Sequence, residues 1–124
     1  MGISEANLHH DLDPCHYRIE GYDCIKSGNK IARSISYIRS TLNYKVNSDL
    51  MNDNNAETWL EIGSHRSKWH MAIFYRELMK LGEPDSGTYE NQVLRLDKFL
   101  TKAENSANKG YSILSGDFNI NLDP

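Results

Sequence analysis

Short apolar segments separated by polar loops run along this chain, and their spacing predicts mostly β-strands. Residues 32–39 show the clearest alternation, with Ile35 and Tyr37 on one face and Ser34 and Ser36 on the other. A strict apolar–polar alternation is typical of a strand that packs on one face and meets water on the other. The pattern therefore predicts a half-buried strand here.

Further strands are predicted where short apolar runs are bounded by turn residues. They cover residues 22–25, 58–62, 69–75 and 111–115. Residues 2–5 are interpreted as the end of a strand that began before residue 1. The run at residues 69–75 contains four consecutive apolar residues, which is typical of a strand covered on both faces of its sheet.

One amphipathic helix is predicted between the last two strands. Its apolar positions follow helical spacing, with Phe99 beside them, and are Tyr89, Val93, Leu96, Leu100 and Ala103. This spacing predicts about four helical turns with one buried face. Loops are expected at residues 7–14, 47–57 and 81–87. Strands on both sides of a helix indicate an α/β or α+β fold.

Composition agrees with one small folded domain of 124 residues, 39% of them hydrophobic and 25% charged. The net charge of −3 does not indicate nucleic-acid binding, although a metal site needs local carboxylates and a neighbouring domain could grip phosphate. No apolar run approaches the roughly 20 residues that cross a bilayer. Cys15 and Cys24 form no Cys-x-x-Cys pair. We expect an intracellular protein with no membrane partner.

Chemically useful side chains follow three of the apolar strands. Glu5 follows Ile3, Tyr75 and Arg76 follow residues 73–74, and Asp117 and Asn119 follow residues 113–114. Strand ends that enter loops are where open sheets place binding and catalytic groups. If these strands are neighbours, the groups lie at one edge.

These groups suit metal-assisted phosphoryl chemistry. Glu5 could hold Mg²⁺, which takes one or two carboxylates and keeps its waters. Asp117 could orient or deprotonate a water, Asn119 could donate to a developing charge, and Tyr75 could contact a phosphate. The structural alternatives are a solvated Glu5, a half-buried aromatic at Tyr75, and plain turn chemistry in Gly-Asp-x-Asn.

A second cluster contains ligand types that zinc accepts: His9, His10, Asp11, Asp13, Cys15, His16 and Cys24. Its spacing matches no ordinary zinc module. We interpret the segment as a polar loop.

Three strings in order resemble the endonuclease/exonuclease/phosphatase superfamily. Residues 115–122, Ser-Gly-Asp-Phe-Asn-Ile-Asn-Leu, resemble its Gly-Asp-Phe-Asn-Ile-Asp-Leu signature, with Asn121 where many relatives have Asp. Residues 3–7 resemble its metal-glutamate motif, and residues 74–77 resemble its Tyr-Arg motif. An Ala-Arg-x-Ile-x-Tyr-x-Arg strand and a Trp-Leu-Glu-Ile strand lie between them. The residues of these motifs are most similar to those of the apurinic-type endonuclease domain of non-long-terminal-repeat retrotransposons.

The resemblance implies part of a two-sheet α/β sandwich with outer helices, incomplete at both ends. It implies Mg²⁺- or Mn²⁺-dependent hydrolysis of a DNA phosphodiester by a nuclear protein. It assigns Glu5 to the metal, Tyr75, Asp117 and Asn119 to catalysis, and Arg76 more weakly to substrate. The alternatives are a non-catalytic remnant of the same fold or a phosphoesterase with a non-nucleic-acid substrate.

The resemblance also implies missing parts. Family members carry a metal-binding Asn on a strand that would precede Met1, and an Asp and a Ser-Asp-His motif that would follow Pro124. All five histidines of this chain precede Asp117. We therefore expect weak or no nuclease activity from residues 1–124.

Overall fold

Two β-sheets and one long helix make up the described part of the chain. The computed structural model describes residues 1–28, 31–51, 55–64, 66–76 and 89–118. In these ranges the elements, in chain order, are β1 (Gly2–His9), β2 (Tyr22–Lys26), β3 (Ile31–Arg39), β4 (Tyr44–Val46), β5 (Glu57–Ser64), β6 (Ser67–Tyr75), α1 (Tyr89–Ala107) and β7 (Tyr111–Asp117). Short 3₁₀ turns occur at Pro14–His16 and Ser48–Met51.

The strands divide into a three-stranded sheet of order β1-β3-β2 and a four-stranded sheet of order β4-β5-β6-β7. All pairs are antiparallel except β6 and β7, which run parallel. A parallel pair needs a long crossover connection, and α1 lies in the segment between these two strands. The fold is α+β and agrees with the predicted partial two-sheet sandwich.

Hydroxyl groups join the two sheets at the middle of β3. The Ser34 hydroxyl donates to the carbonyl oxygen of Ile73 at 3.0 Å, and the hydroxyl oxygens of Ser36 and Thr58 lie 2.5 Å apart. Both serines are buried. The prediction of a half-buried β3 is therefore wrong, because its serine face packs against the second sheet while Ile35 and Tyr37 form an apolar cluster on the other face.

The helix packs on the far face of the four-stranded sheet. Phe99 stacks on Phe74, with ring centroids 4.3 Å apart, and lies 5.4 Å from the ring of Trp59. The predicted helix is confirmed, but its 19 residues make about five turns. Its buried face is centred on Phe99 and Ala103, whereas the predicted apolar positions Val93 and Leu100 are exposed.

Several predicted elements need correction. β7 continues to Asp117, two residues past its predicted end at residue 115. β1 continues to His9 through a segment predicted as loop, because Leu8 is buried and pairs with Ala32 after a bulge. β4 was not predicted, and the expected loop 47–57 contains a 3₁₀ turn and the start of β5. The predicted loop 81–87 lies outside the described residues. Within the described ranges, no helix is both long and apolar enough to cross a bilayer.

Candidate functional site at the ends of β6 and β7

Tyr75 and Asp117 are direct neighbours at the ends of β6 and β7. They are partners in the parallel register, and both stand at the last position of their strands. The backbone N–H of Arg76 donates to the carbonyl oxygen of Asp117 at 2.8 Å, and the Tyr75 N–H donates to the carbonyl oxygen of Ala56 at 2.9 Å. These bonds extend the pairing one residue beyond β6, so the backbone at both candidate residues is held in place.

The glycine before Asp117 has a physical role. Gly116 has a φ of +139°, and a Cβ there would lie 1.8 Å from the carbonyl oxygen of Phe74. Any side chain would therefore displace β7 from β6, and only glycine adopts this backbone conformation at low cost. The Gly-Asp pair of the sequence motif thus fixes where Asp117 leaves the sheet.

Arg33 brings a positive charge from the three-stranded sheet to this point. Its guanidinium Nη2 donates to the hydroxyl oxygen of Tyr75 at 3.4 Å, and its Cζ lies 5.1 Å from the centre of the same ring. The hydroxyl oxygen of buried Ser27 accepts from the backbone N–H groups of Arg33 and Ser34 at 3.2 and 3.3 Å. Sequence reasoning did not assign Arg33 to the site.

A bulge in β1 places the backbone of Glu5 beside Arg33. Ser4 pairs with Ser34 and Leu8 pairs with Ala32, so residues 5–7 of β1 face the single residue Arg33 of β3. Asn7 has a φ of +52°, in the left-handed region that asparagine tolerates better than most residues. Bulges often occur beside active sites, where they redirect a side chain. The structure describes the backbone of Glu5 but not its side chain.

The structure describes four of the five predicted site residues, and of Glu5 the backbone alone. Tyr75 and Asp117 are register partners, Arg76 follows Tyr75, and the Glu5 backbone faces Arg33, whose side chain contacts Tyr75. Asn119 lies outside the described residues. The prediction that Glu5 stands at the end of a strand is wrong, because it lies at a bulge within β1, and β1 belongs to the other sheet. A shared strand end is therefore found for Tyr75 and Asp117, and β3 brings Arg33 to it from the three-stranded sheet.

Metal ligands are sparse in the part of the chain that the structure describes. There, no three His, Cys, Asp or Glu residues group closely enough to hold an ion. The residues of the zinc alternative are spread from β1 to β2, and both Cys15 and Cys24 are free thiols. Within that cluster, the carboxylate of Asp13 accepts from the backbone N–H of Cys15 at 3.0 Å. This bond holds the pKa of Asp13 below its ordinary value.

No family model, curated protein or solved structure matches this chain.

Proposed function

We propose that the chain carries a metal-dependent phosphodiester-cleaving site, with DNA as its substrate, at the ends of β6 and β7 and the bulge of β1. The pairing of Tyr75 with Asp117, with Arg33 contacting the tyrosine hydroxyl, is the observation that carries this proposal. The site combines a carboxylate, a phenol and a guanidinium. Groups of these kinds position water and bind phosphoryl oxygens.

The donor chemistry of the site fits Mg²⁺ or Mn²⁺. Glu5 would hold the ion through its carboxylate, and waters would complete the coordination, because Mg²⁺ is commonly bound by one or two carboxylates. The β1 bulge at residues 5–7 supports this assignment, since it sets the backbone of Glu5 opposite Arg33. When bound, the ion polarises a phosphoryl oxygen and stabilises the leaving oxygen.

The side chains of this chain would divide the remaining work. Asp117 orients the attacking water and accepts its proton. Arg33 donates charge-assisted hydrogen bonds to the phosphoryl oxygens, and the Tyr75 hydroxyl, already in contact with Arg33, donates a further one. Asn119 and Arg76 are proposed as a transition-state donor and a weaker substrate contact, in line with the sequence motifs.

The proposed site has two arginines beside it, although the chain as a whole is weakly acidic. The net charge of the chain is −3, but Arg33 contacts Tyr75 and Arg76 directly follows it. These two arginines beside the ends of β6 and β7 favour an anionic substrate there, even though the whole chain is weakly acidic. A phosphate backbone carries the charge that this arrangement suits.

Relaxation of supercoiled plasmid tests the proposal. We expect slow nicking with Mg²⁺ or Mn²⁺ that stops when a chelator is added. A soluble phospholipid headgroup diester serves as the second substrate. Faster cleavage of that diester than of DNA would contradict the DNA assignment, and cleavage that persists in the chelator would contradict the metal-dependent site.

A further inference from the structure

Ser27 is a fully buried serine that lies directly after β2. Its backbone N–H donates to the carbonyl oxygen of Ser34 at 2.9 Å, one residue beyond the last register pair of β2 with β3. Its hydroxyl oxygen accepts from the backbone N–H groups of Arg33 and Ser34, at 3.2 and 3.3 Å. The side chain of Ser27 thus takes part in the backbone hydrogen bonding of β3 beyond the end of β2.

Arg33 stands where the pairing of β3 is irregular on both sides. β2 ends at Lys26, and the register of β1 shifts between Ser4 and Leu8 beside Arg33. A backbone N–H inside a protein needs an acceptor, and leaving it without one costs more than the bond itself contributes. The Ser27 hydroxyl oxygen is an acceptor at this irregular position, so it holds the backbone from which the Arg33 side chain extends.

The other end of the Arg33 side chain is held by Tyr75. The guanidinium Nη2 donates to the tyrosine hydroxyl oxygen at 3.4 Å, and the guanidinium carbon lies 5.1 Å from the ring centre. Ser34, the residue after Arg33, is buried and donates its hydroxyl hydrogen to the carbonyl oxygen of Ile73, two residues before Tyr75 on β6. The bonds of Ser27 and Ser34 therefore set the distance between the backbone of Arg33 and the strand that carries Tyr75.

We propose that Ser27 is a positioning residue, which holds the backbone of Arg33 so that the guanidinium lies over the Tyr75 ring and faces the substrate phosphate. The inference rests on the phosphate-binding role proposed for Arg33. Charge-assisted hydrogen bonds to phosphate require a set distance and direction. A long side chain restrained at both ends loses little further freedom when it binds, whereas a mobile one must first be ordered. Ser27 thereby contributes to phosphate binding without contacting the substrate.

Ser36 is the matched comparison for Ser27. It is likewise buried, lies two residues after Ser34 on β3, and its hydroxyl oxygen is 2.5 Å from that of Thr58 in the other sheet. Loss of either serine hydroxyl removes a buried hydrogen bond, which destabilises the fold. The Ser27 hydroxyl bonds to Arg33, whereas the Ser36 hydroxyl bonds to Thr58. A change at Arg33 that follows the loss of the Ser27 hydroxyl, but not of the Ser36 hydroxyl, is therefore specific to positioning.

NMR of the arginine side-chain N–H groups tests the positioning directly. The Tyr75 ring should shift the Nε–H signal of Arg33, and Tyr75→Leu defines where that signal lies without the ring. Ser27→Ala should move the signal toward that position, and Ser36→Ala should leave it at the wild-type position. Ser27→Cys, with a sulfur that accepts only weakly, should act like Ser27→Ala and replaces it if that variant does not fold. A signal that stays at the wild-type position in the Ser27 variants, or that moves equally in Ser36→Ala, would overturn the proposal.

Plasmid nicking measures the consequence for the proposed reaction. Ser27→Ala should slow metal-dependent nicking by about tenfold, since it displaces a charge-assisted contact. In an Arg33→Lys background the same substitution should change the rate by no more than about twofold, because Ser27 acts through Arg33. An equal slowing in both backgrounds would overturn the positioning role. The NMR spectra require no activity, so they decide the role of Ser27 separately from the proposed cleavage.

Discussion

The guanidinium of Arg33 lies 3.4 Å from the hydroxyl oxygen of Tyr75, although 42 residues separate them in sequence. This contact joins the three-stranded sheet to the four-stranded sheet beside Asp117, the register partner of Tyr75. It also lies where the β1 bulge sets Glu5 opposite Arg33. The two sheets therefore meet at the proposed site through a cation and a phenol, in contrast to the serine and threonine hydroxyls that join them further along β3.

Arg33→Lys should slow metal-dependent nicking by about ten- to a hundredfold, since a hydrogen bond to a charged group is worth roughly 1.5–3 kcal/mol. Lysine keeps the charge but loses the planar fork that binds phosphate. The double variant with Tyr75→Phe should lose less than the product of the two single losses, because the residues are in contact. Arg39→Lys is the matched control, since exposed Arg39 at the end of β3 also donates to a tyrosine hydroxyl, that of Tyr22 on β2. Equal rates for Arg33→Lys and Arg39→Lys would remove Arg33 from the site.

Glu5→Gln should weaken Mn²⁺ and Mg²⁺ binding measured by titration calorimetry. One carboxylate and water ligands make a weak site, and an amide oxygen carries no charge to attract the ion. Glu20→Gln, at an exposed position before β2, should bind like the wild type. If Glu5→Gln and wild type bind the ion equally, Glu5 is not the metal ligand.

The sequence predicts those elements of the fold whose pattern involves residues close together in the chain. Alternation found β3, and helical spacing found α1, because both patterns involve neighbouring residues. The burial of Ser34 was not predictable, since it depends on a hydroxyl reaching the carbonyl oxygen of Ile73 in the other sheet. Likewise, Leu100 is exposed because α1 packs against the sheet through Phe99.

The residues of the candidate site were likewise predicted only in part. Tyr75 and Asp117 were selected because each follows an apolar strand, but their pairing required the parallel crossover through α1. Arg33 was missed because it lies within a strand and approaches Tyr75 only when the sheets pack. A charged side chain within an otherwise apolar and serine-rich strand was the available signal.

Asp23 should make stability depend on pH in the acid range. The Tyr44 hydroxyl donates to its carboxylate at 2.5 Å and the Ser40 hydroxyl at 2.9 Å, and these bonds lower the pKa of Asp23 below 3.8. A carboxyl group whose pKa is lower in the folded state than in the unfolded state stabilises the fold at pH values above the unfolded-state pKa. This stabilisation is lost as the pH falls through the folded-state pKa. The difference in melting temperature between wild type and Asp23→Asn should therefore shrink below about pH 3.8.

Melting curves from neutral pH to acid test this linkage, with Asp97→Asn on the exposed side of α1 as control. The control should differ little from wild type throughout. A difference for Asp23→Asn that stays constant with pH would show that its carboxylate charge contributes nothing through these bonds.

Lys102→Met should destabilise the fold by about 3 kcal/mol, since it removes one partner of a buried ion pair. The ammonium group of Lys102 on α1 contacts the carboxylate of buried Glu57 on β5 and donates to the Leu50 carbonyl oxygen at 2.7 Å. Lys98→Met, one turn earlier and exposed, should stay within about 0.5 kcal/mol of wild type. Denaturant unfolding measures both. Equal stabilities for the two variants would show that the pair does not hold α1 to the sheet.

Asp117→Ala in the plasmid relaxation assay tests the central claim most directly. The claim is that the ends of β6 and β7 and the bulge of β1 form one metal-dependent phosphodiester site with Asp117 positioning the water. The variant should fold like the wild type and lose the Mg²⁺-dependent nicking by about a hundredfold or more, as for other positioned acid–base groups. Asp11→Ala, in the exposed turn after β1, should nick at the wild-type rate. Nicking by Asp117→Ala at the wild-type rate would contradict the account.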